Sequence, residues 1–263
     1  MEFQKGDIIE LLKRISIFSS ENLEEIKKKE IDPNNELDST YVGLIVRQYS
    51  IANDLKILLE NKVQGYLTSE FVLFRCIVDD YIHFTYIINQ ADKNELIVKL
   101  NADAINKNFS KIVELAKINE EVLGGNYPFY PTNETIEDLK RGVRESKERQ
   151  QHFLDKEKFT FKSFKSTGNL VRDLDKESEY YHSIVRAYFI WRKYSDFVHY
   201  SNFAYEEESL INPEEDDTYT EFSEIVFYAY KNIQNALDFF VEKYNLDIVD
   251  SQHLQEIYKD YKR

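Results

Sequence analysis

The chain has 263 residues, with 48 acidic and 34 basic side chains and a net charge of −14. That length supports one sizeable core or two small ones. The acidic balance excludes indiscriminate binding to nucleic acid or to an anionic membrane, although it leaves room for a local basic patch. Seven Gly and four Pro are few, which favours long helices over a sandwich of short strands.

Residues 4–30 read as one or two short amphipathic helices, and KKKEIDPNNELDST (27–40) as a polar linker around Pro33. A boundary is expected here, with residues 1–38 as an N-terminal helical appendage and 39–263 as the main bundle. Ser39 to Glu60 is helical by its spacing, with Tyr41, Leu44, Ile45, Ile51, Leu55 and Leu58 towards the core. The next helix, TSEFVLFRCIVDDYIHFTYIIN (68–89), has Thr68 or Ser69 as its cap. It is apolar nearly all round, as befits the centre of a bundle. Arg75, Asp79 and His83 interrupt it at i, i+4 and i+8. The plainest reading of that stripe is an Arg75–Asp79 pair within the helix, and the alternative is a site. Cys76, the single cysteine, lies in the same apolar run as a buried, inert thiol, so neither an intrachain disulfide nor a thiolate zinc set is available.

Asp92 to Val122 reads as a long amphipathic helix, stopped by LGGNYPFYP (123–131). A charged helix follows from Asn133 to about Leu154, and then KEKFTFKSFKSTGNLVRDL (156–174), in which Lys alternates with aromatics. From Lys140 to Arg172 there are ten basic and four acidic residues, a local charge of +6 within an acidic protein. Such a run is either a solvated face or a phosphate-attracting lip. Asp175 to Phe203 is the next helix, EEESLINPEEDD (206–217) an acidic loop, and Thr218 or Thr220 the start of a helix to about Tyr244. A last short helix covers 248–261. The N-terminus has no signal-peptide core, and no window of about 18 residues is free of charge. A cytoplasmic protein without membrane association is expected.

The strongest chemical lead is YYHSIVRAYFIWRKYSDFVHYSNFAY (180–205). Arg192 and His199 are seven residues apart, which on a helix places them on one face about 20° from alignment. Ser195 and Asp196 lie between them. Three carboxylate–imidazole pairs also occur one turn apart, Asp80/His83, Glu179/His182 and Asp196/His199. Paired motifs of this kind hold di-iron centres in helical bundles, but two of the three begin with Asp and two share one helix, and bridging glutamates are not evident in the helix at 39–60 or in the long helix at 92–122. A di-metal bundle stands as a third reading of the function, while the expectation is no metal and no cofactor. Gly-rich phosphate loops, nucleophile elbows and His-Glu-x-x-His motifs are absent.

The segment Arg192-Lys-Tyr-Ser-Asp-Phe-Val-His199 resembles the Arg-x4–6-His motif of HEPN domains. VLFRCIVDDYIHFTYI (72–87) together with YYHSIVRAYFIWRKYSDFVHYSN (180–202) also resembles a bacterial all-helical family of unknown function. The resemblance extends in architecture over about residues 39–245. It implies an all-α, HEPN-like bundle, commonly dimeric, and in catalytic members a metal-independent endoribonuclease of bacterial defence or toxin systems. Arg192 would then bind the scissile phosphate and His199 serve as general acid/base. Asp196 would orient His199 or hold Arg192, while Arg75 and Ser195 would contact substrate. RNA, a cognate antitoxin or other partner protein, and a second copy of the chain are the implied partners. HEPN-like folds also include non-catalytic interaction modules, so that reading stands beside the enzymatic one.

Overall fold

The computed structural model describes residues 3–61, 67–125, 127–197 and 216–259. Its elements are nearly all helical: α1 (Lys5–Lys27), α2 (Glu36–Asn61), α3 (Thr68–Ile88), α4 (Lys93–Glu121), α5 (Asn133–Glu145), α6 (Thr167–Arg172), α7 (Tyr181–Ser195), α8 (Asp216–Tyr244) and α9 (Leu254–Lys259). A 3-10 helix (Lys147–His152) and two short strands, β1 (Phe153–Asp155) and β2 (Thr160–Phe161), complete the described elements. The all-α class expected from the sequence is the class observed.

The chain divides into two compact units, 1–90 with 166–263, and 91–165. In the first, α3 packs against α2, α7 and α8, and α1 packs against α2 and α8. Helix α1, read from the sequence as part of an appendage, lies in this unit. It buries Ile8, Leu11, Leu12, Ile15, Phe18, Asn22 and Ile26, a stripe at helical spacing. Asn22 fixes the end of that stripe to the C-terminal segment. Its amide donates to Val249 O (2.7 Å) and its Oδ1 accepts from Val249 N (3.0 Å). A fully buried amide needs such partners, because an unpaired one forfeits its hydration without return.

Aromatic rings fill the space between α3 and its neighbours. Phe74 stacks on Phe222 of α8 (centroids 4.3 Å apart), Phe71 on Phe197 (4.4 Å), and Tyr81 on Tyr228 of α8 (4.3 Å). Phe71 also meets Tyr194 of α7 at 4.9 Å. Helix α3 starts at Thr68 with Leu67 in the cap position and no side-chain cap bond, so neither Thr68 nor Ser69 caps it. Cys76 is half-buried rather than buried. On α2 the core residue of the last turn is Leu59, one position beyond the expected Leu58.

The second unit is built on α4, whose N-cap Asp92 accepts from Glu95 N (3.0 Å). Its far end turns on Gly124 and Gly125, both at positive φ (70° and 76°), a backbone region that costs glycine little. Asn119 then holds the loop, accepting from Tyr127 N (3.0 Å) and donating towards Tyr130 O and Pro131 O (both 3.3 Å). The charged helix expected over 133–154 ends at Glu145, and β1 and β2 pair in antiparallel fashion. Phe153 and Phe161 stack across that hairpin (4.7 Å) and pack with Ala102 of α4. Several side chains of the basic run are paired inside this unit, including Lys140 with Glu137, Arg141 with Asp138, and Lys162 with Glu95.

Phe222 is fully buried, whereas Phe189 is 62% exposed. Phe222→Ala should therefore destabilise the first unit by about 3–5 kcal/mol, and Phe189→Ala by no more than about 0.5 kcal/mol. Urea unfolding followed by circular dichroism measures both. Equal effects would contradict the packing described.

Candidate functional site

The polar stripe of α3 closes on itself only in part, between Asp79 and His83. Instead of pairing with Asp79, Arg75 reaches across to α7, where its Nε donates to Ser195 Oγ (2.8 Å). Its guanidinium lies over the Trp191 ring, 4.8 Å from the centroid, in a cation–π arrangement. Ser195 passes its own proton to Trp191 O (2.6 Å). Tyr188 stacks nearly parallel to Trp191 (5.8 Å, 12°), so one face of α7 carries a row of rings and a hydroxyl towards α3.

One and two turns along α3, Asp79 and His83 face α6. His83 Nδ1 lies 3.8 Å from Asp79 Oδ2, and Thr167 Oγ1 lies 3.4 Å from His83 Nε2 and 3.5 Å from Asp79 Oδ1. Thr167 opens α6, and the residue after it is Gly168, where a Cβ would come within 3.2 Å of the Tyr188 hydroxyl. The small residue lets α6 lie close to α7 at this point.

Asp80 faces a third neighbour. It accepts from Arg47 Nε (2.7 Å) and Gln48 Nε2 (2.8 Å) of α2. Burial pushes its carboxyl up to about 6, with Arg47 pulling in the opposite direction. Asp80 and His83 thus turn to different partners. Among the described residues no group of three or more His, Cys, Asp and Glu side chains is placed to hold a metal ion.

On its other side α7 meets α8 through ion pairs. Arg186 donates to Glu224 (3.1–3.3 Å), Lys193 to Glu221 (2.9 Å), and the Tyr194 and Tyr228 hydroxyls to Glu221 and Glu224 (2.6 Å each). Burial, reinforced by Glu221, holds the Tyr194 phenol well above its ordinary range. Arg192 lies on neither seam. It is exposed, as is Asp196 one turn later, and among the described residues the two form no ion pair with each other. Of the expected site residues, the fold brings Arg75 and Ser195 into contact and leaves Arg192 and Asp196 at the exposed end of α7. His199 lies outside the described residues. Sequence reasoning missed Arg47, Gln48, Thr167 and Glu221 as partners, since each is separated from its mate by 27 residues or more and no local spacing links them; it also missed Glu224, which joins Arg186 at a distance of 38 residues and Tyr228 one turn away.

The chain belongs to a family of unknown function (DUF5677), whose model matches residues 38–219. That match spans α2, α3 and α7 and bears out the likeness to a helical family of unknown function. No curated protein matches the chain, and no solved structure does. No helix among the described residues is long and apolar enough to cross a membrane.

An aspartate titrates near 3.9 in an unfolded chain, and Asp80 does so at about 6 in the folded one. Between those values the folded state binds the proton more tightly. The contribution of Asp80 to stability is therefore complete below about pH 4 and declines as the pH rises through 6. Asp80→Asn cannot titrate and lacks this component. The urea midpoint of wild type relative to Asp80→Asn should fall between pH 4 and 7, and a constant difference would contradict the assignment.

Proposed function

We propose that the chain is a metal-independent endoribonuclease of HEPN type, with Arg192 and His199 as its reactive pair. The observation that carries this reading is the state of Arg192. Of the three Arg and Lys side chains on α7, Arg186 and Lys193 are paired with carboxylates of α8, and Arg192 has no partner among the described residues. An exposed guanidinium free of internal carboxylates retains its planar fork of donors for an external phosphate.

In the proposed reaction the RNA 2′-oxygen attacks the adjacent phosphorus, and the bond to the 5′-oxygen breaks. His199 removes the 2′-OH proton and returns a proton to the leaving 5′-oxygen. Arg192 stabilises the charge that develops on the phosphoryl oxygens. Asp196 orients His199. Arg75, anchored by Ser195, supplies a second cation at the same end of α7. Because each chain offers one such pair, a homodimer bringing two pairs to one phosphate is part of the proposal. A cytoplasmic toxin or defence role, held in check by a cognate antitoxin, follows from the same resemblance.

A second reading, a non-catalytic helical interaction module, is favoured by one observation. Arg75 spends its Nε donor on Ser195 within the fold, as a structural contact would.

The test is RNA cleavage in EDTA by wild type, Arg192→Ala and His199→Ala, each confirmed folded. The proposal expects products with 2′,3′-cyclic phosphate ends and a loss of at least about 100-fold in either variant. Three equally inactive proteins would favour the interaction module. Three equally active ones would place the nuclease elsewhere.

A further inference from the structure

In the second unit, the end of α4 and the loop after it present apolar side chains to water. Phe129 is 82% exposed and Val122 72%, and Ile118, Leu123 and Tyr127 are exposed with them. Ile118 and Val122 stand one turn apart on α4, and Leu123 N donates to Ile118 O (3.2 Å). The Tyr127 ring meets Phe129 (5.7 Å) and Tyr130 (4.8 Å). Asn119, next to Ile118 on the helix, bonds the backbone of Tyr127, Tyr130 and Pro131 and so joins the loop to α4. Single exposed apolar residues are ordinary, whereas a group of them rimmed by polar side chains marks an interaction surface. None of these residues belongs to the site proposed for RNA cleavage.

The rings are held outwards by a built loop. Asn119 is 1% exposed and also accepts Gly125 N on its carbonyl (2.8 Å). Glu120 receives the backbone N–H of Asn133 (3.0 Å) and its side-chain amide. Anchored in this way, the segment from Tyr127 to Pro131 is ordered before any partner arrives, which spares the partner that cost.

Charge decides the occupant. Residues 118–139 contain five acidic side chains and no basic one. Glu137 and Asp138 pair with Lys140 and Arg141. The other three keep their charge at the patch. Glu120 is bonded by the neutral Asn133, Glu121 meets Lys117 at 3.9 Å with both side chains in water, and Glu134 lies in the first turn of α5. A second copy of the patch would set like charges against each other, and nucleic acid or an anionic membrane would be repelled. An amphipathic helix satisfies both features, its apolar stripe on the rings and its flanking lysines or arginines on the carboxylates. We infer that this surface docks a basic amphipathic helix of a partner protein.

The probe is a fluorescent peptide of about 18 residues, five helical turns, made of Leu and Lys with the leucines on one face. Its anisotropy is followed with the full chain in about 150 mM salt, where diffuse attraction is screened. A scrambled peptide of equal composition and a Leu/Glu counterpart are the comparisons. The inference expects saturable one-to-one binding of the amphipathic Leu/Lys peptide alone. Val122→Ala/Phe129→Ala should weaken it at least about tenfold, and Glu121→Gln/Glu134→Gln several-fold. Phe189→Ala, which removes an equally exposed ring from α7, should leave it unchanged. Circular dichroism confirms that each variant is folded. Equal binding of the scrambled peptide, unchanged binding in Val122→Ala/Phe129→Ala, or an equal loss in Phe189→Ala would overturn the inference. So would self-association of the free chain, or its capture by anionic vesicles, if Val122→Ala/Phe129→Ala abolished either.

Discussion

Helix α3 is enclosed by α2, α7 and α8, with α6 against it as well, and every polar group it carries into that core has to be met by a neighbour. An isolated buried ion costs several kcal/mol, more than a typical hydrogen bond returns. The consequence is visible in how its polar residues are distributed. Asp80 goes to Arg47 and Gln48 of α2, Arg75 to Ser195 of α7, and Asp79 and His83 to Thr167 of α6. Each pairing is made to a different helix, so together they fix which neighbour stands where around α3. The rings supply the bulk of the burial and tolerate small shifts, whereas the polar pairs are directional and hold the register.

Helix α7 takes its position from the same logic. Its α3 side is fixed by Ser195, Trp191 and the Phe71–Tyr194 contact, and its α8 side by two glutamates that each receive a cation and a phenol. With both seams fixed, the 100° step from Trp191 to Arg192 turns that guanidinium out of the core. The last turn of a helix favours a cation, because the unpaired carbonyls there carry partial negative charge. That preference stabilises Arg192 at its post without consuming its hydrogen-bond donors. The proposed site on α7 is thus a by-product of how the helix is held.

Much of this was legible in the chain because it is periodic. The burial stripe of α8, with Ile225, Val226, Ala229, Ile233, Ala236, Leu237 and Phe240 inside, follows from helical spacing, although Val241, which the same spacing puts inside, is 37% exposed. Asp92 as a helix start and Gly124–Gly125 as a stop are local signals that the backbone honours. What spacing could not supply is the choice between partners of equal chemistry. Arg75 and Asp79 are one turn apart and of opposite charge, yet the arginine spans to Ser195, 120 residues away, because Trp191 beside it offers a ring face as well. The short β1–β2 hairpin also escaped, since its alternation of Lys and Phe covers too few residues to separate from loop. Helix α7 was expected from Asp175 but begins at Tyr181, after turns that Asp175 and Ser178 build by accepting backbone N–H groups.

The central claim is that one cation of α7 is left for an external phosphate while its neighbours are held for structure. Fluorescence anisotropy of a 2′-O-methyl RNA, which binds without being cut, tests this directly on wild type, Arg192→Gln and Arg186→Gln. Loss of Arg192 should weaken binding about tenfold or more, as expected for a charge-assisted phosphate contact, and loss of Arg186, which is paired with Glu224, should change it little. Equal effects from both substitutions, or none from Arg192→Gln, would contradict the claim.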